Sequence, residues 1–122
     1  MMHLRLLKVS GPLPTSEYAF VDDGIRIGLL QIRHRPSHSP NIPPEMASHI
    51  YYEITAAYRS QGYGKAILRL GLLEAWKLGL LEICLTCKEE NTASKKVIEA
   101  NGGVLVATAG KFLKYRITIQ DR

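Results

Sequence analysis

No apolar stretch of this 122-residue chain approaches the ~20 uninterrupted residues that a membrane-spanning helix needs, because charges break every candidate. The opening MMHLRLLKVSGPLP carries only a stub of apolar sequence, short of the ~7–15 residues of a secretory core. A cytoplasmic protein with no membrane partner is therefore expected. Cysteine is almost as scarce, at two residues, Cys84 and Cys87 in LEICLTC. In a strand their odd spacing points the thiols to opposite faces, and no second pair completes a zinc set. His34 and His38 read as surface histidines, so no metal is expected. The chain also lacks internal repeats, an arginine-rich tail and interleaved aromatics, which form 7% of it. A net charge of +5 is thus read as a solvated excess of lysine and arginine, with nucleic acid not expected as a partner.

What remains is ordinary for one globular domain: 46% hydrophobic and 22% charged residues, enough for a core without staples. EYAFVDD (17–23) reads as a strand turning at Asp23-Gly24, with RIGLLQIRH as its hairpin partner. Four prolines between Arg35 and Ser48 make that segment a long loop. HIYYEITAAY is a two-faced strand, with Ile50, Tyr52 and Ile54 on one side and His49, Tyr51, Glu53 and Thr55 on the other. Gly64 to about Leu78 has helical periodicity in Ala66, Ile67, Leu70, Leu73 and Trp76, with Gly79 as its stop. LLEICLT reads as a central strand, Asn91 as the N-cap of a helix over TASKKVIEA, and GVLVAT and KFLKYRITIQ as two closing strands. The order β-β-β-α-β-α-β-β predicts an α/β, α+β-layered fold. Its sheet is mixed and mostly antiparallel around a central strand–helix–strand unit.

The stretch YRSQGYGKAIL places Gly62 and Gly64 between a strand and a helix. Helix N-termini present unpaired N–H groups and a partial positive charge, so glycines there let an anion reach the backbone, with Arg59 and Lys65 at the rim. Two nucleotide motifs fail here. The dinucleotide fingerprint needs a glycine where Ile67 stands, and the P-loop needs a glycine at Arg59 and a serine or threonine at Ala66.

Arg59-x-x-Gly62-x-Gly64 after a strand, followed by a long helix, an apolar strand and Asn91-x-x-Ser94, resembles the GNAT N-acetyltransferase superfamily across residues 17–119. RSQGYG matches its pyrophosphate motif, and ENTASKKVIEANGG its second signature. The resemblance implies a single GNAT-like domain over residues 1–122, shortened at its N-terminus, that transfers acetyl from acetyl-CoA to an amine of a small molecule or peptide. Acetyl-CoA would lie in a V between strands 50–57 and 81–87. Ile54 and Thr55 would meet its pantetheine arm, and Gln61, Gly62, Tyr63, Gly64, Lys65 and Ala66 would hold the pyrophosphate. Asn91, Ser94 and Lys95 would stand on the far side.

Direct attack on a thioester needs a base for the amine and an acid for the thiolate. Glu53 is the candidate base, assisted by His49, with Tyr51 a candidate acid beside Tyr52 or a water. Same-face neighbours lie ~6–7 Å apart, so a water or substrate would sit between His49 and Glu53. Two departures from the family stand out. Its usual tyrosine acid falls on Ile98, and only about sixteen residues replace a strand and two helices that wall the acceptor site. The wall is then open, supplied by the 35–48 loop, or supplied by a partner in a homodimer. The alternative reading is a catalytically weak or inactive acyl-CoA-binding regulatory module.

Overall fold

A computed structural model describes residues 1–12, 14–37 and 46–119. Among these described residues, seven strands and two α-helices run in the order β1 (Met2–Ser10), β2 (Thr15–Asp22), β3 (Ile25–Ser37), β4 (Ser48–Ile54), α1 (Tyr63–Lys77), β5 (Glu82–Lys88), α2 (Thr92–Ala100), β6 (Val104–Ala109) and β7 (Phe112–Thr118). A short 3-10 turn, Ala56–Tyr58, links β4 to the approach to α1.

The strands form two antiparallel sheets, ordered β1-β2-β3-β4 and β5-β7-β6. They meet where β4 and β5 lie side by side without a ladder. This is the place where the strand–helix–strand unit predicts a central junction, and the missing ladder turns that junction into a cleft. Side chains hold its closed end. The Cys84 N–H donates to His49 Nδ1 at 2.9 Å, and Thr86 Oγ1 donates to the Met46 carbonyl at 2.6 Å.

β1 is absent from the sequence reading. Its exposed side chains hide the period-2 signal, since past Leu4 every residue of the strand is exposed. It pairs directly with β2, Ser10 opposite Thr15, so no helices intervene between these two strands. β3 also extends past the predicted His34 to Ser37, into the proline-rich segment. Residues 38–45, including His38, lie outside the described residues.

One core joins both sheets to the inner helix faces. Tyr18, Phe20, Leu30, Ile32 and Ile50 come from the first sheet, and Ile83, Leu85, Leu113, Tyr115 and Ile117 from the second. α1 contributes Ile67, Leu68, Leu72 and Ala75. Each fully buried large side chain of this set stabilises the fold by about 1.5–3 kcal/mol. The buried stripe is rotated from the predicted one: Leu68 and Leu72 are inside, while Trp76 is 38% exposed. Gly71 explains part of the rotation. A Cβ there would sit 2.9 Å from Leu30 Cδ2, so its bareness lets α1 press against β3. α2 buries Ile98 at 1% exposure, and Tyr115 ties the helix to β7 by donating to Glu99 Oε2 at 3.1 Å.

Candidate active site

The cleft opens between β4 on one side and α2 on the other, with the N-terminus of α1 at its mouth. A cavity of about 380 Å³ occupies it, lined by Tyr52 and Ile54 of β4, Tyr58 to Ser60, Gly62 to Lys65, and Ala93 and Val97 of α2. The turn into α1 takes Ser60 to φ +63° and Gly62 to φ +84°. These are left-handed conformations that favour glycine, and Ser60 adopts one at some cost. Gly62 is the N-cap and offers no side chain to the first amides of α1. A Cβ built on Gly62 would meet nothing within 4 Å, and Gly62 to Lys65 line the cavity. No acidic residue sits in the first turn, and Lys65 does. Unsatisfied N–H groups, the positive helix end and a lysine around an open hollow make a site for an anion. Gly64 has a different duty. Its Cβ would come 3.3 Å from Val97 Cγ2, so it sets how closely the two helices approach at the cavity floor.

The predicted ligand-contact residues sort into distinct settings. Gln61 and Lys65 are exposed at the mouth, and Ala66 is half-buried behind them. Tyr63 turns its hydroxyl to Asp22 Oδ2 at 3.3 Å and stacks edge-on against Phe20, with ring centroids 6.0 Å apart. Its ring therefore anchors α1 to the first sheet. Arg59 donates its Nε–H to the Ile54 carbonyl at 2.9 Å, bridging the end of β4. The Thr55 N–H is already given to the Ile27 carbonyl at 2.8 Å, which turns that amide into the sheet. Backbone polarity alternates along a strand, so Ile54 and Tyr52 direct their N–H and C=O groups to the unpaired edge of β4, toward the cleft. Across the cleft, Asn91 caps α2 by accepting from the Ser94 N–H at 3.1 Å. The Ser94 hydroxyl lies 3.3 Å from the Tyr52 hydroxyl. Lys95 is half-buried beside the buried Cys87 thiol, whose pKa burial raises and Lys95 opposes.

The proton-handling candidates do not share one environment. Tyr51 donates to Glu53 Oε2 at 2.7 Å, both exposed on the strand face away from the cavity, and this bond raises the tyrosine pKa. Glu53 also borders a second hollow of about 240 Å³ with Arg26, Gly28, Leu29 and Thr55. His49 is buried at 7% exposure and commits Nδ1 to β5. Burial first, then Lys114, lowers its pKa, with Glu82 opposing. The structure thus brings Tyr51 and Glu53 together and sets His49 to holding the two sheets. His34 pairs with Ser16 Oγ at 2.8 Å. Among the described residues, no cluster of three His, Cys, Asp or Glu side chains is arranged to hold a metal, and both cysteines are free.

The sequence reading named Tyr52 only as an alternative to Tyr51 or a water, because nothing in the strand's pattern selects between them; its face is shared with Ile50 and Ile54. That face is core at Ile50 and becomes cavity wall at Tyr52. Only the splaying of β4 from β5 separates the two, and nothing in the strand's own pattern encodes it.

A family model described as an acetyltransferase (GNAT) domain matches residues 10–104, most of the chain. The chain belongs to the GNAT acetyltransferase family. Among solved structures, this GNAT chain is similar to the spermidine/spermine N-acetyltransferase SpeG of Vibrio cholerae, in mutant form, at TM-score 0.71 and 15% identity, covering 97% of this chain and 95% of that one. It is similar to Mycobacterium smegmatis RimJ in complex with CoA-disulfide at TM-score 0.67 and 23% identity, covering 85% and 53%. It is similar to the ribosomal-protein-S5-alanine acetyltransferase of Vibrio fischeri at TM-score 0.67 and 19% identity, covering 88% and 63%. At these identities the likeness is one of fold, and the chain spans about half to two thirds of the latter two proteins. A search of curated proteins by sequence finds no match. No helix among the described residues is long and apolar enough to cross a membrane.

Proposed function

We propose that this GNAT chain is an acetyl-CoA-dependent N-acetyltransferase, acting on an amine of a small molecule or peptide. The observation that carries the reading is the hollow before Gly62, where an uncapped helix end, Lys65 and the absence of any side chain suit a pyrophosphate. The residues present fit a CoA ester as substrate. Gln61 to Ala66 would hold the diphosphate, and the free edge of β4 at Ile54 would take the pantetheine amides once Arg59 yields its bond. Asn91, Ser94 and Lys95 would border the far side. The bound thioester supplies an activated acetyl group, and this chain's part is to hold it and to manage two protons. Glu53, exposed on the opposite face of β4 with Tyr51 bonded to it, would draw the proton from an amine arriving at that face, directly or through water.

We read residues 1–122 as one shortened GNAT domain that works as a homodimer in a reducing, cytoplasmic setting. Exposed Leu6 and Val9 on β1, exposed Val104 to Val106 on β6, and two free thiols support that reading. A second reading, a CoA-binding module without turnover, is favoured by one fact: Ile98, at the position of the family's acid, is buried and has no proton to give.

Calorimetric titration with acetyl-CoA, CoA and ATP tests the proposal. Binding of acetyl-CoA and CoA unmatched by ATP is expected, and equal or absent binding would overturn it. Acetyl transfer to any amine then separates the enzyme from the module.

A further inference from the structure

The reaction proposed above releases a thiolate, and the position from which the family's helix delivers a proton holds Ile98, buried at 1% exposure. Another group must do this, or none does. Of the six tyrosines, Tyr58 lines the cavity from the 3-10 turn before α1, beside Arg59 and Ser60, and the other five each have a hydrogen-bonding neighbour. Tyr51 donates to Glu53, Tyr63 to Asp22 and Tyr115 to Glu99, so each already gives its proton to a carboxylate. Tyr18 is in the core, with Ser16 as its hydrogen-bond neighbour. Tyr52 differs. It lines the cleft cavity with Tyr58 and Tyr63, but its partner is a hydroxyl, Ser94 Oγ, 3.3 Å away across the cleft, where either oxygen can be the donor.

We propose that Tyr52 is the general acid of this chain, delivering the leaving-group proton from β4 in place of the missing donor on α2. Ser94 is its proton relay. The inference rests on the CoA reading above. In the step, the amine nitrogen bonds to the acyl carbon as the carbon–sulfur bond breaks. The sulfur keeps that electron pair and takes the phenolic proton. The phenolate regains a proton through the Ser94 hydroxyl from solvent, and the amine's own proton leaves toward Glu53. A hydroxyl partner suits this role, since it can switch from acceptor to donor when the phenol gives up its proton, whereas a carboxylate cannot donate. Burial, with the Cys87 thiol beside it, raises the Tyr52 pKa and keeps the phenol protonated, while the Ser94 bond lowers it. The other charged or titratable groups around the cavity are Tyr58, Arg59, Tyr63 and Lys65.

The test is Tyr52→Phe, which keeps the ring and removes the hydroxyl. CoA affinity by calorimetry is expected to stay at the wild-type value, while kcat falls about 100-fold and the alkaline limb of its pH profile disappears. A second readout needs no acceptor. The ionisation of bound CoA is followed by thiolate absorbance, as the difference between CoA and desulfo-CoA complexes. Loss of a hydrogen bond to the thiolate is expected to raise the bound thiol pKa by about one unit or more in the variant. An unchanged thiol pKa and an unchanged pH profile would overturn the Tyr52 role and leave the CoA reading standing. Failure of the wild-type protein to bind CoA would overturn both.

Discussion

Gly62 offers a substitution whose cost to folding and cost to binding have separate origins. In the free protein an added Cβ touches nothing within 4 Å, so Gly62→Ala carries no clash. The residue does sit at φ +84°, where an L side chain costs about 1–2 kcal/mol relative to glycine. For a chain of this size that is a fall of about 3–8 °C in melting temperature. Gly62 also lines the cavity at the start of α1, so an added side chain there would take up space where a bound diphosphate would need to approach within hydrogen-bonding distance. Loss of even one charge-assisted bond costs about 1.5–3 kcal/mol, or roughly 10- to 150-fold in affinity. Denaturant unfolding measures the first quantity and calorimetry with CoA the second, both on Gly62→Ala beside Gly62→Val. The valine variant is expected to remain folded and to lose CoA binding altogether. A folded Gly62→Val protein with wild-type CoA affinity would refute the cradle, and one with wild-type stability would refute the strain at this φ.

Glu53→Gln is expected to leave CoA affinity unchanged and to lower kcat about 100-fold with loss of the acidic limb of the pH–rate profile, checked by steady-state kinetics across pH. His49 is held neutral in the fold by burial, so its folded pKa lies below its unfolded value. Its contribution to stability is present above about pH 6.5 and lost as pH falls through the lower folded value, because a protonated Nδ1 can no longer accept from the Cys84 N–H. Unfolding free energies measured stepwise down to about pH 5 should show this loss in the wild type and a flatter profile in His49→Ala. Gly71→Ala should destabilise by about 1 kcal/mol, as crowding against Leu30 at 2.9 Å outweighs the gain in helix propensity, read from denaturant midpoints.

Local chemistry was legible in the sequence wherever one element's own pattern decides the outcome. Leu113, Tyr115, Ile117 and Ile119 alternate as predicted because β7 has a core on one face only. Asn91 caps α2 as its residue type and position predict, and Gly62 stands at the helix start where the motif put it. What could not be read depends on how elements approach one another. His49 shares strand parity with Tyr51 and Glu53, yet it is buried next to buried Ile50 while they are exposed. The ladder between β3 and β4 shifts register between Ile32 and Ser37, next to this point, and β5 offers an amide to the imidazole. One strand therefore has its beginning fastened to β5, while its end at Ile54 stays in the ladder with β3 and meets Arg59 at its other edge. That difference along seven residues makes a cleft where a continuous sheet would otherwise form. It turns Tyr52 from a core residue into a cavity wall, and it puts Tyr52 opposite Ser94 while Glu53 faces the other way. The two proton-handling residues proposed above, Glu53 and Tyr52, then fall on neighbouring positions of one strand, on opposite faces of the sheet. Strand parity alone assigns them to opposite faces, but only the unpaired edge of β4 makes both faces reachable.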